Sequence, residues 1–329
     1  MKLATIPNGT RDGELVVVST DLRSFASAKA IAPNLLAAME NWAAVEPKLK
    51  ALAADLAAGR AANVSAFDQS AALSPLPRSF QWIDGSCFKN HLFLMATATG
   101  RDPEIEVNST FPLMYQGMSD DFYRPQGDIA LPREEDGIDF EAEIGIVTDE
   151  VPMGTTATEA AAHIKLILLI NDVSLRGFVK REIVTGFGWM NAKPSTAFSP
   201  VAVTPDELGD AWNGKLSLPI RIEWNGKRFG EPNGREMSYS FLDLIEHAAR
   251  TRKLSAGTII GSGTVSNADY KNVGSACIAE RRSIEMIETG APKTDFMKFG
   301  DRVRIEMRDA AGQSIFGAID QKVTRYEKG

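Results

Sequence analysis

The sequence predicts an α+β fold, with a small N-terminal α/β domain over residues 1–73 and a larger strand-rich domain over residues 74–329. Three observations predict it. In the run Ile138–Val147, apolar Ile138, Phe140, Ala142, Ile144 and Ile146 alternate with Asp139, Glu141 and Glu143, which reads as a β-strand with one buried face. Residues 34–60 are rich in Ala and Leu at three- and four-residue spacing, which reads as a helix, broken near Pro47. Beyond residue 74 the segments turn short and β-branched between Gly turns with few helical stretches, which points to a large mixed or mostly antiparallel sheet.

Leu3–Ile6 and Leu15–Ser19 flank Pro7-Asn8-Gly9 and Asp12-Gly13, the pattern of a hairpin. The helix over 34–60 completes the N-terminal domain, and Ser74-Pro75-Leu76-Pro77-Arg78 reads as a linker. In the larger domain, Thr156 and Glu159 form a capping-box pattern ahead of a helix reaching His163. Further helical stretches fall near 205–212 and 240–250.

The chain has 329 residues, 44% hydrophobic and 24% charged, enough for a sizeable core. A net charge of −7 without a basic patch argues against nucleic acid. The two cysteines, Cys87 and Cys277, form neither a framework nor a CxxC pair, which fits a reducing, cytoplasmic setting. The first nine residues have no apolar h-region, and no apolar run is long enough to span a membrane.

Glu141 and Glu143 point the same way, roughly 7 Å apart along a strand. Two readings stand for them: a solvated strand face, or ligands of a hard divalent cation that offsets their repulsion. Asp172 follows the apolar run Leu166–Ile170 and either caps the next turn or presents a carboxylate at the rim of the core. Asp84 precedes Gly85, the pattern of a simple turn. His91 falls seven residues after Asp84, whereas His163 and His247 read as surface or packing residues. No His/Cys cluster with zinc spacing, Walker motif or Gly-x-Ser-x-Gly elbow occurs. Gly261-Ser262-Gly263-Thr264 reads as a tight turn, or as one that offers N–H groups and a hydroxyl to an anionic oxygen.

Six segments occur in order: Trp82-Ile83-Asp84-Gly85-Ser86 with Asn90-His91; Asp139-Phe140-Glu141-Ala142-Glu143; Asn171-Asp172-Val173-Ser174-Leu175-Arg176; Lys193-Pro194; Phe198-Ser199-Pro200; and Gly261-Ser262-Gly263-Thr264-Val265-Ser266. Together they resemble the fumarylacetoacetate hydrolase family over essentially the whole chain, nearest to its bacterial branch of tyrosine and homogentisate breakdown. The resemblance implies a mixed β-roll in a homodimer. It also implies Mg²⁺ or Ca²⁺, or Mn²⁺ as in some members, held by Asp84, Glu141, Glu143 and Asp172. By the same resemblance His91 is the general base, Glu280 orients it, and Lys193 joins the catalytic set. Arg176, Thr264 and Tyr115 match positions that bind substrate. Asp139 falls outside the ligand set and is expected as a supporting or solvated residue.

The activity implied is hydrolysis of a C–C bond in a diketo acid, with fumarylacetoacetate giving fumarate and acetoacetate. Same-fold alternatives are hydrolysis of fumarylpyruvate or another acylpyruvate, or decarboxylation, hydration or isomerisation of an oxo acid. A different class of reading is a catalytically silent member that binds diketo acids. Ser86, Met118 and Val179 depart from the animal pattern at substrate-contact positions.

Overall fold

Leu166 to Ile170 are apolar without alternation because both faces of their strand are covered. Ile167 and Leu169 pack into one core cluster, and Leu166, Leu168 and Ile170 into a second on the opposite face. The computed structural model describes residues 1–328, except for the side chains of residues 105 and 106. Among the described residues, eleven strands form the sheet that separates the two clusters. Edge to edge it runs Val64–Ala66, Ser24–Ser27, Glu14–Val18, Lys2–Ile6, Val201–Val203, Ile164–Asn171, Ala142–Thr148, Ile259–Gly261, Trp82–Gly85 and Met114–Gly117, with Ala197–Phe198 also beside Ile164–Asn171. Ile259–Gly261 and Trp82–Gly85 are parallel, and the other pairs are antiparallel.

The α+β expectation holds. The N-terminal hairpin forms as Lys2–Ile6 against Glu14–Val18 and joins the large sheet, with Lys2 opposite Val203. Its outer face carries helices Leu35–Glu40 and Trp42–Ala57. The helix breaks at Asn41 rather than at the expected Pro47, which sits inside the second helix. Asn41 closes the first helix and opens the second, so one residue serves both ends. The other face packs on a five-stranded sheet built on Arg302–Arg308 and Ser314–Arg325. The expected capping box at Thr156/Glu159 is present, and a second, not read from the sequence, forms at Ser240/Asp243.

The run 138–147 is two strands, not one, and it is buried throughout. Ile138–Asp139 pairs with Ser174–Leu175, whereas Ala142–Thr148 pairs with Ile164–Asn171. Asp172 and Val173 separate those partners, so Phe140 and Glu141 cross between them. Helices Lys89–Ala98, Arg176–Ile183 and Ile278–Thr289 were not expected from the sequence. The first two start at Phe88 and Leu175 without a side-chain cap, and the third starts at Cys277, so none shows an Asp, Asn, Ser or Thr start signal.

Candidate active site

Asp84 stands near the end of Trp82–Gly85, beside Gly261 of the parallel strand. A Cβ at Gly261 would lie 2.4 Å from Asp84 Oδ1, so only glycine leaves room for this carboxylate. Gly263, at φ 75°, turns the chain back, and its N–H donates to Asp84 Oδ1 over 3.0 Å. The Gly-rich turn thus presents an N–H to an anionic oxygen, and here that oxygen belongs to the chain itself. Asp84 lies on a strand rather than in the simple Asp-Gly turn.

Glu143 projects from Ala142–Thr148 into the same place. It is fully buried, and neither carboxylate oxygen has a hydrogen-bond partner. Asp172 follows Ile164–Asn171 and does not cap a turn. Its carboxylate accepts from Thr196 Oγ1 at 2.9 Å and from the Tyr115 hydroxyl and the Lys193 ammonium. One oxygen each from Asp84, Glu143 and Asp172 lie within 4.8 Å of one another. Burial, reinforced by the neighbouring carboxylates, pushes Asp84 and Glu143 well above the ordinary carboxylate range. Three buried acids with two unpartnered oxygens fit a hard divalent cation bound through oxygen.

Glu141 is the fourth acid expected there, and the structure sets it slightly apart. Its oxygens are taken by Arg176, at 2.6 Å, and by Lys193. Although burial opposes it, Arg176 and Lys193 hold Glu141 below the ordinary range. Lys193 bridges Glu141 and Asp172, and its own value is held up by these carboxylates against the opposing effect of burial. Lys193 Nζ also lies 5.4 Å from the Tyr115 ring centre.

Asp139 is fully buried, which removes the solvated reading. It accepts from the Ile278 and Ala279 N–H groups at 2.8 and 2.9 Å and from Arg176 Nε at 2.8 Å. It therefore anchors the start of helix Ile278–Thr289. The helix N-terminus favours an acid there, by about 1 kcal/mol for a cap. Glu280, in that first turn, is fully buried and its Oε2 lies 2.8 Å from His91 Nδ1. Nε2 is then the ring nitrogen left for water or a ligand.

Asp84, His91, Tyr115, Glu141, Glu143, Arg176 and Lys193 line a cavity of about 630 Å³ together with Thr264. Leu92, Met95, Leu113 and Trp189 give it apolar lining as well. Ser86 and Val179 line it as expected, whereas Met118 lies outside its lining and is exposed. Met118 sits one residue past the strand whose Tyr115 reaches the cavity. His163 bonds Asp149 and His247 stacks on Phe111, in keeping with packing roles. Sequence reasoning missed Thr196, which carries no pattern of its own, and the anchoring part played by Asp139. The period-two run had placed Asp139 beside the other acids without showing its partner.

Residues 81–324 match the family described as fumarylacetoacetate (FAA) hydrolase C-terminal, and residues 1–78 match fumarylacetoacetase N-terminal domain 2. A 2,4-didehydro-3-deoxy-L-rhamnonate hydrolase of Sphingomonas sp. (strain SKA58) is 30% identical over 169 residues, 50% of this chain and 57% of the relative. A mitochondrial oxaloacetate tautomerase of Homo sapiens is 26% identical over 156 residues, 46% of this chain and 48% of the relative. The matched region thus spans about half the length of these relatives. The crystal structure of maleylpyruvate hydrolase from Sphingobium sp. SYK-6 with manganese(II) and pyruvate superposes with a TM-score of 0.63 at 16% identity, over 99% of this chain and 100% of that one. This last likeness is one of fold. With matches that cover nearly its entire length, the chain belongs to the fumarylacetoacetate hydrolase family.

Proposed function

We propose that the chain catalyses metal-dependent hydrolysis of a C–C bond in a diketo acid. The observation that carries this reading is the unpartnered Glu143 carboxylate, clustered with Asp84 and Asp172 at the cavity that His91, backed by Glu280, also lines. Asp84, Glu143 and Asp172, with Glu141 beside them, would hold Mg²⁺, Ca²⁺ or Mn²⁺. The cation would polarise the carbonyl under attack and steady the enolate that departs.

The chain's own residues do the rest. His91 Nε2 takes a proton from water, and Glu280 holds the ring in the required tautomer and favours the imidazolium that forms. The water oxygen adds to the carbonyl carbon, and Lys193 and Thr264 donate to the oxygen that gains charge. The adduct collapses, the C–C bond breaks, and its electron pair leaves on the enolate carbon. That carbon takes the proton back from His91, so one water is consumed and two acids result. Arg176 is held by Asp139 and Glu141, so it acts by fixing Glu141 and the helix bearing Glu280 at least as much as by meeting substrate.

Fumarylacetoacetate is the leading substrate on the sequence resemblance. The similar manganese structure holds pyruvate, which supports an acylpyruvate as the second reading. The tautomerase relative supports a third, in which the His91 pair moves a proton on carbon without cleavage. Incubation with fumarylacetoacetate, fumarylpyruvate, acylpyruvates and oxaloacetate, with and without Mg²⁺, Mn²⁺ or Ca²⁺, separates these readings. Binding without any turnover would support the silent alternative.

A homodimer belongs to the same proposal. Phe187, Met190 and Val184 are 97%, 79% and 78% exposed, in a segment whose Gly186, Gly188 and Trp189 line the cavity. An apolar patch of this kind is usually covered by a partner, and a second copy would cover it. Sedimentation of the wild-type chain and of Phe187→Ser tests this: a dimer weakened by the substitution is expected, and a monomeric wild-type chain would contradict it.

A further inference from the structure

Beside the carboxylate cluster lies a second group of donors of different chemistry. One ligand atom each from His91, Glu141 and Cys277 lie within 4.8 Å of one another. Cys277 is fully buried at the start of helix Ile278–Thr289, and its backbone pairs with Glu141 in an isolated bridge. Glu280, in the first turn of the same helix, is also fully buried. Its Oε2 holds His91 Nδ1, while its Oε1 has no hydrogen-bond partner. An imidazole, a carboxylate and a thiol this close together are the donor set of a borderline-soft cation, not of Mg²⁺, and the unpartnered Glu280 oxygen belongs to the residue that already holds the imidazole.

We propose that His91, Glu141 and Cys277, backed by Glu280, form a second cation site that takes a thiophilic divalent ion of the Zn²⁺ class and silences the His91 base. A tetrahedral ion with bonds of about 2.0–2.3 Å sets its ligands roughly 3.4 Å apart, which atoms already within 4.8 Å of one another reach by small side-chain movements. Glu141 and Glu280 supply negative charge at the site, and Arg176 or Lys193 yields a Glu141 oxygen to the ion. On binding, the Cys277 S–H bond breaks, its proton passes to solvent, and an S–metal bond forms. Nε2 of His91 becomes a metal donor and can no longer take a proton from water. The inhibitory consequence rests on the hydrolase reading, whereas the site itself does not.

Co²⁺ is the probe, because thiolate coordination gives it a charge-transfer band in the near ultraviolet. The full chain is titrated with Co²⁺ in saturating Mg²⁺. The band is expected in the wild-type protein and in Cys87→Ser, and its loss in Cys277→Ser, where serine retains the helix cap. His91→Asn provides a second variant and is expected to weaken Co²⁺ binding at least about tenfold. No band at saturating Co²⁺, a band that survives Cys277→Ser, or unchanged affinity in His91→Asn overturns the site. Zn²⁺ inhibition of Mg²⁺-supported turnover is expected to weaken at least about tenfold in Cys277→Ser, and equal potency overturns the silencing. The Co²⁺ titration needs no turnover, so it reads the site whatever the reaction proves to be.

Discussion

His91 Nδ1 and Glu280 Oε2 meet at 2.8 Å across 189 residues of sequence. Each comes from the first turn of a helix, so that buried Glu280 stands behind the cavity-lining His91 as the proposed orienting acid behind the proposed base. His91→Ala is expected to lower kcat by about 10²–10⁴ while metal affinity stays nearly unchanged. Glu280→Gln keeps the shape but loses the charge, so kcat falls with KM little altered. Steady-state kinetics with parallel metal titration check both, and full hydrolysis by His91→Ala would discard the assigned base.

Glu143 gives the metal-free protein a pH signature. Burial, with Asp84 and Asp172 beside it, raises its pKa above the ordinary 4.5. The unfolded chain therefore ionises first as pH rises, and the folded state loses stability through the window above 4.5. Glu141, with its pKa lowered, acts in the opposite sense and in the window below 4.5. The Tm of metal-free protein should fall as the pH rises above 4.5, and Mg²⁺ should remove most of that fall. Glu143→Gln should stabilise the metal-free chain by about 1–3 kcal/mol at the alkaline end and weaken Mg²⁺ binding at least about tenfold. Thermal melts at several pH values, with and without Mg²⁺, read all of these.

Gly261→Ala tests the seat of Asp84. The added methyl carbon would lie 2.4 Å from Asp84 Oδ1 and 2.5 Å from the Trp82 ring. Overpacking of this kind costs about 1–3 kcal/mol, and the displaced carboxylate should lower Mg²⁺ affinity at least about tenfold. Calorimetric titration of a folded variant checks this, and unchanged affinity would remove Asp84 from the ligand set.

Asp139 and Arg176 form a largely buried pair that also fixes Glu141 and the helix carrying Glu280. Asp139→Asn or Arg176→Met should each destabilise the chain by about 3–5 kcal/mol, because the partner keeps a buried charge. The double variant should lose less than the sum. Urea unfolding of the four proteins measures the coupling, and additive losses would show that the pair does not act as a unit.

Much of the fold was legible because its signals are local. The N-terminal hairpin and the Thr156/Glu159 capping box follow from residues adjacent in sequence. The break in 138–147 was not legible, since Asp172 and Val173 interrupt a pairing that begins about 30 residues away, at Asn171 opposite Ala142. For the site, spacing alone left Asp84 and Asp172 between turn and ligand. Only the ordered motifs set them beside Glu143, and the structure brings them together. The burial of Asp139 depended on a helix with no start signal, and an alternating pattern cannot tell water from a buried partner.

The central claim is cation-dependent cleavage of carbon from carbon. It is tested most directly by following fumarylacetoacetate and an acylpyruvate by NMR, with Mg²⁺ present or fully chelated. The predicted result is two acids formed in equal amounts from at least one substrate, only with the cation. Interconversion of keto and enol forms without cleavage, or cleavage that persists after chelation, would contradict it.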